Sequence, residues 1–382
     1  MKLLIDAHCF DTRASEGINT YLKGIYNEMP ALAPDIDFYF ASQRGEGLRE
    51  IFGTAPNIHY VKLGEHGRAV RMLREYPRLL RRLGIDWAHF QYAAPPVKTC
   101  HTAVTLHDVL YEDFPENFPF TYRLPRRLLF SHSARQADVV ATVSDYSRGR
   151  IMHHYGVENE RIVLTPNAVT EEFFMADRAV AGRRTKLQGI RPYLLNVSRI
   201  EPRKNQLALV RAYHRLGLAE RGYDLVLVNR RSIAVPELEA YIVSLPEEER
   251  RRIHRFDGLP HEELPAWYAG AELFVYPSLG EGFGIPPLEA AAAGVPVICH
   301  NATAMADFDF FGQNLIDVTA EGALENAIER NLTSPPAEAD LARIRETVRE
   351  RYSWRRAAEQ LLRAIREPDA AHGSDAARRT TP

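Results

Sequence analysis

Short apolar runs alternate with longer amphipathic segments along most of the 382 residues, the pattern of a parallel sheet covered by helices on both faces. In the first half the runs predict strands over residues 2–6, 37–41, 59–61, 87–90, 103–106, 139–143 and 162–164. In the second half they predict strands over 193–197, 224–228, 253–256, 273–276 and 297–298. Two sets imply two doubly wound α/β domains, 1–175 and 193–351. Residues 176–192 between them are polar, hold Gly182 and Gly189 and lack an apolar period, which reads as a linker. Trp354, Ala357, Ala358, Leu361, Leu362 and Ile365 fall on one helical stripe, so 352–366 predicts a packed terminal helix. Hydrophobicity collapses over 367–382, read as a disordered tail.

Composition narrows the class. With 45% hydrophobic and 26% charged residues the chain can build sizeable cores. Fifty acidic side chains against 48 Lys plus Arg leave a net charge of −2, so no global field marks a nucleic-acid binder. Cys9, Cys100 and Cys299 lack the paired spacing of zinc sites or disulfide frameworks, which fits a reducing compartment. Only three apolar residues precede Asp6, too few for a secretory leader, and the apolar stretch 284–299 is interrupted by Pro286, Pro287 and Glu289. The expectation is a cytoplasmic protein. Arg68, Arg71, Arg74, Arg78, Arg81 and Arg82, followed by Arg123, Arg126, Arg127 and Arg135, make two basic helical stretches. They suit either a solvated helix face or peripheral contact with the inner face of a membrane, and Pro77 is expected to break the first.

The densest candidate chemistry lies in Ser278-Leu279-Gly280-Glu281-Gly282-Phe283-Gly284-Ile285-Pro286-Pro287-Leu288-Glu289, between a strand and an Ala-rich helix. Open α/β sheets bind ligands outside the carboxyl ends of their strands, and a helix N-terminus there favours hydroxyl oxygens or phosphate. Glu281 precedes the helix and Glu289 lies in its first turn, so the two carboxylates address different parts of one ligand. Arg199 and Lys204 sit on the loop after the first strand of the second half, with Asn205 as expected helix cap, where two cations can grip a diphosphate. Arg203 between them reads as solvated. In the first half, His107 follows a strand and precedes Asp108, suiting a polar ligand, and Gly17 permits close backbone approach, with Asn19 as a cap. Dinucleotide, Walker-type, Gly-x-Ser-x-Gly and His-Glu-x-x-His motifs are missing from these positions, which disfavours the corresponding oxidoreductases, ATPases and hydrolases.

Together these residues resemble the retaining GT-B glycosyltransferases of family four, more narrowly their mannosyltransferase-like branch. The resemblance is carried by Glu281 to Glu289, Arg199 to Asn205, Thr105 to Asp108, Thr142 to Ser147 and Pro166 to Val169. It implies two Rossmann-like doubly wound domains facing across a cleft, the terminal helix packing back on the first. It implies that Arg199 and Lys204 bind the donor diphosphate, Glu289 the ribose, and Glu281 with the Phe283, Gly284 and Ile285 backbone the transferred sugar. Gly17 would approach the donor and His107 the sugar from the acceptor side. The implied activity is metal-independent transfer of a hexose, first mannose from GDP-mannose, to a glycan or lipid-linked acceptor in surface polysaccharide synthesis. No cofactor beyond the nucleotide sugar, itself a substrate, is implied, and no nucleic acid. The chain departs from the family pattern at Glu16, at Asn229 and across Ala304 to Asp307. Those departures keep a non-catalytic nucleotide-sugar-binding partner or sensor, and a sugar-nucleotide epimerase, as alternatives.

Overall fold

The computed structural model describes residues 1–11, 16–181, 189–231 and 233–368. Its chain divides into two units, Met1–Ala168 with Ser353 onward, and Val169–Tyr352. The first unit is built on seven parallel strands, β1 (Lys2–Asp6), β2 (Asp37–Ser42), β3 (Ile58–Lys62), β4 (Trp87–Gln91), β5 (His101–Thr105), β6 (Val139–Thr142) and β7 (Ile162–Leu164). They lie in the order β3-β2-β1-β4-β5-β6-β7. The order reverses between β1 and β4, whose carboxyl ends flank the crevice where such sheets take ligands. All five residues of β4 and all four of β6 are buried, as expected for strands covered on both faces.

Helix α1 (Glu16–Leu32) follows β1, and α2 (Phe120–Gln136) follows β5. Asn19, expected as a cap, lies inside α1 because the helix already runs from Glu16. Pro77 does not break the first basic stretch. The chain runs helically from Arg68 to Leu83, with Arg71–Glu75 widened into a π turn just before the proline. Widening of that kind accommodates a residue that cannot donate to the preceding turn.

The second unit holds six parallel strands, β8 (Tyr193–Ile200), β9 (Asp224–Arg231), β10 (Ile253–Asp257), β11 (Leu273–Tyr276), β12 (Val297–His300) and β13 (Leu315–Ile316). Their order is β10-β9-β8-β11-β12-β13, reversing between β8 and β11. The edge strand β13 was not expected, since two residues carry no readable period. Helix α3 (Gln206–Arg215) follows β8 and α4 (Ile285–Ala292) follows β11. Leu194, Leu209, Leu225, Leu227, Leu273, Val275 and Ile298 share one buried core between sheet and helices.

The boundary between units differs from the expected one. Residues 169–175 pack within the second unit, where the Phe173 ring meets Tyr268 edge-on at 5.5 Å. The Arg349 guanidinium lies 4.4 Å over Phe174 and 3.1 Å from Glu171. Two adjacent aromatics gain more from burial there than from continuing the polar chain. Residues 182–188 of the expected linker and 369–382 of the expected tail lie outside the described residues. Helix α5 (Trp354–Arg366) belongs to the first unit and buries Ala357, Ala358, Leu361, Leu362 and Ile365. Its Trp354 ring sits so close to α1 that a methyl on Gly24 would come within 2.1 Å of it.

Candidate functional site

At the reversal of the second sheet, the loops after β8 and β11 are tied together by charge. The Lys204 ammonium donates to Glu281 Oε1 at 2.6 Å and to the Tyr276 hydroxyl at 3.0 Å. Tyr276 in turn donates to Glu281 Oε1 at 3.0 Å, and the Ser278 hydroxyl donates to the same oxygen. Arg203 approaches Glu281 Oε2 at 3.1 Å, donates to Glu201 at 3.0 Å and reaches the Gly280 carbonyl. The Lys204, Arg203 and Glu281 side chains are all about nine-tenths buried, at 8%, 9% and 10% exposure.

Arg203 is therefore not solvated, contrary to expectation. It braces the two loops, because a guanidinium offers a planar fan of donors that one carboxylate cannot exhaust. Burial alone would raise the Glu281 carboxyl, but Lys204 and Arg203 together hold it down at about 2. Loss of water pulls the Lys204 ammonium below the ordinary lysine value, and Arg203 pulls the same way, while Glu281 sustains its charge. Two of Lys204's three donors are spent in this cluster, leaving one for a ligand. Arg199, with a side chain 59% exposed, keeps only a 3.2 Å contact with Glu201.

The glycine-rich turn has its own anchor. Gly284 adopts φ +103°, and a Cβ there would press Met305 and Phe308 at 3.2 and 3.3 Å, so only glycine fits. The Phe283 ring packs against Tyr352 at 5.5 Å and Phe308 at 6.0 Å, which commits its side chain to the interior of the unit. Gly284 occupies the cap position of α4 with no side-chain bond to the helix start, so the first turn beginning at Ile285 carries its dipole uncapped. Glu289, expected in the first turn, stands just past it as the fifth residue of α4, where it is half-buried and accepts from Tyr268 at 2.8 Å. Burial pushes its carboxyl up to about 7, against the pull of the Tyr268 bond.

Other expectations change in detail. Asn205 stands at the start of α3 but with a left-handed backbone, φ +54°, and no side-chain cap bond. Asn229, where a glycine was expected, lies within β9 and donates to the Ser198 carbonyl at 3.2 Å. In sequence Tyr276 and Ser278 read only as a strand end and a loop start; their hydroxyls reach Glu281 five and three residues on because the loop folds back, and Thr303 reaches it from 22 residues away. The Thr303 hydroxyl accepts from the Glu281 backbone N–H at 2.9 Å, with φ +55° at Thr303.

In the first unit, His107 follows β5 and its Nε2 lies 2.8 Å from Gln91 Oε1. The Tyr21 ring meets the imidazole edge-on at 4.9 Å, and burial lowers its pKa to about 4, so it is neutral at pH 7. Gly17 is exposed in the first turn of α1, with nothing within 4 Å of where a side chain would begin. Among the described residues no group of His, Cys, Asp and Glu is arranged to hold a metal ion, and no helix is long and apolar enough to cross a membrane.

Comparison with known proteins agrees with this geometry. Residues 15–173 match Glycosyltransferase Family 4, and residues 183–351 match Glycosyl transferases group 1. O-antigen chain mannosyltransferase B of Escherichia coli is 30% identical over 269 residues, which are 64% of this chain and 69% of that protein. A GDP-mannose-dependent alpha-(1-6)-phosphatidylinositol monomannoside mannosyltransferase of Mycolicibacterium smegmatis is 32% identical, covering 52% of this chain and 54% of its own. The fold superposes on sucrose-phosphate synthase of Thermosynechococcus elongatus with a TM-score of 0.72 at 19% identity, covering 97% and 99% of the two chains. With two Rossmann-like parallel-sheet units, each half matched in turn, the chain belongs to the GT-B glycosyltransferases.

Proposed function

We propose that the protein is a retaining hexosyltransferase that moves mannose from GDP-mannose to a glycan or lipid-linked acceptor in surface polysaccharide synthesis, with neither metal nor separate cofactor. The observation that carries this reading is the buried Lys204–Glu281–Arg203 cluster at the reversal of the second sheet, with exposed Arg199 beside it. In this reading Arg199 and the remaining Lys204 donor take the donor diphosphate, whose charge grows as it leaves. The uncapped start of α4 and the Phe283, Gly284 and Ile285 backbone take sugar hydroxyls. Glu281 orients Lys204 and the loop. Glu289 receives the ribose hydroxyls, Gly17 permits backbone approach to the donor, and His107 contacts the sugar from the acceptor side. The bond from the anomeric carbon to phosphate breaks with its electron pair leaving on the nucleoside diphosphate. The acceptor oxygen bonds the same face of that carbon, and its proton passes to the departing phosphate oxygen. The mannosyltransferase names of the Escherichia coli and Mycolicibacterium smegmatis relatives support the choice of sugar and donor.

Membrane contact through the first unit is part of the proposal. On α2, Phe120, Leu124 and Leu128 are 67%, 42% and 63% exposed and recur every four residues, so they line one face. The same helix carries Arg123, Arg126, Arg127 and Arg135 and no acidic residue. An apolar stripe among cations suits an anionic bilayer surface on the cytoplasmic side.

Incubating the purified protein with a panel of nucleotide sugars and lipid-linked or glycan acceptors tests the reading. Mannosyl transfer from GDP-mannose with the α configuration kept in the product is expected, and Lys204→Ala abolishes it while circular dichroism stays unchanged. Near-normal transfer by that variant, or donor binding without any transfer, overturns it. Isomerised donor in the absence of acceptor would identify an epimerase instead.

A further inference from the structure

Gln91, the last residue of β4, stands between two imidazoles. Its Oε1 lies 2.8 Å from His107 Nε2, and its Nε2 lies 3.3 Å from His89 Nε2. His89 is wholly buried. Its Nδ1 is 2.7 Å from the Tyr26 hydroxyl and its Nε2 is 2.7 Å from the Thr105 hydroxyl. Thr105 is linked onward to Tyr21 at 3.3 Å, and Tyr21 to Thr165 at 2.8 Å. Tyr26, Thr105, Tyr21 and Thr165 are as fully buried as His89, so no water competes for these bonds and their polarity is set from within.

Both imidazoles are neutral at pH 7, because burial lowers His89 to about 3 and His107 to about 4. A neutral imidazole has one donor and one acceptor nitrogen, and its partners choose which. An amide can offer its oxygen to only one of two rings. With the oxygen toward His107, the nitrogen facing it must carry the proton.

We infer that Gln91 is a positioning residue that fixes the tautomer of His107, holding its Nε2 as a donor and leaving its Nδ1 as a bare acceptor for a ligand hydroxyl. His107 Nδ1 has no hydrogen-bond partner among the described residues. The functional half of this inference rests on reading His107 as a sugar contact; the tautomer itself does not. The Gln91 oxygen thereby selects for a hydroxyl that donates at that position, since an isostere lacking the proton would face a lone pair unpaired. Asp108 follows His107 in sequence, and Tyr21 and Tyr92 pack against its ring. None of these groups bonds its Nε2.

Long-range proton–nitrogen NMR of the full chain, with histidine nitrogens labelled, tests this without any substrate. The expected spectrum shows His107 protonated at Nε2 and bare at Nδ1. Gln91→Leu should let His107 exchange between tautomers, and Gln91→Glu should move the His107 titration upward by supplying a carboxylate to its imidazolium. In transfer assays Gln91→Leu should lower kcat about tenfold or more, the scale of one lost hydrogen bond to a positioned group, with GDP affinity unchanged. His107 protonated at Nδ1, or a Gln91→Leu protein whose His107 tautomer is that of the wild type, would overturn the inference. If the tautomers are as expected but no sugar is transferred by any variant, the positioning stands and the transferase reading fails.

Discussion

Glu281→Gln isolates the charge of the central carboxylate while keeping its shape. Glu281 Oε1 accepts from Lys204, Tyr276 and Ser278, and Oε2 faces Arg203. An amide keeps one acceptor oxygen but turns an N–H₂ toward either the ammonium or the guanidinium, and it leaves two buried cations with only Glu201 as counter-charge. The drop of the carboxyl from an ordinary 4.5 to about 2 corresponds to about 3 kcal/mol at about 1.4 kcal/mol per pH unit. Removing one partner of a buried ion pair costs a similar amount, about 3–5 kcal/mol. For a unit of this size about 3 kcal/mol is a fall of roughly 6–12 °C in Tm. The sign with pH follows from the depressed carboxyl: its contribution is whole above about pH 4.5 and is lost as pH falls toward 2. Calorimetry of wild type and variant should therefore show a gap that is full at pH 7 and narrows on acidification. A variant within about 0.5 kcal/mol of wild type at pH 7, the range of ordinary surface changes, would refute the view that this carboxylate anchors the two loops.

Glu289 works in the opposite sense. Its carboxyl is raised to about 7, so its contribution to stability is whole below about pH 4.5 and is lost as pH rises through 7; on the proposed ribose contact, GDP affinity measured calorimetrically should rise over the upper part of that window as the carboxylate forms, and Glu289→Gln should flatten both dependences. Gly24→Ala should destabilise the first unit by about 1–2 kcal/mol in denaturant titrations, because overpacking against Trp354 exceeds the roughly 1 kcal/mol gained from alanine's helix propensity, and a stabilised variant would contradict that packing. Leu128→Glu, on the exposed stripe of α2, should reduce cosedimentation with vesicles containing phosphatidylglycerol without changing circular dichroism, and unchanged sedimentation would remove the membrane proposal.

The strand pattern was readable except at the two-residue β13 because a parallel strand covered on both faces is mostly apolar, as in the wholly buried strand Leu273–Tyr276. Glycine-rich composition beside a strand end likewise pointed to the turn before α4, and the φ of Gly284 supplies its reason. Charge by itself misled at Arg203, since a sequence records the presence of a guanidinium but not whether a carboxylate from residues 75 or more positions away closes over it.

What the order of residues determined alone is local: strand and helix periods, the turn that only glycine can make, the candidate carboxylates and cations. What folding decided is pairing over long separations. It brought Lys204 and Arg203 onto Glu281, set Tyr268 on Glu289, drew residues 169–175 into the second unit and placed Gln91 against His107. Periodicity depends on near neighbours along the chain, whereas a buried polar group must find its partner wherever sheet order delivers one, and that order is a property of the whole fold.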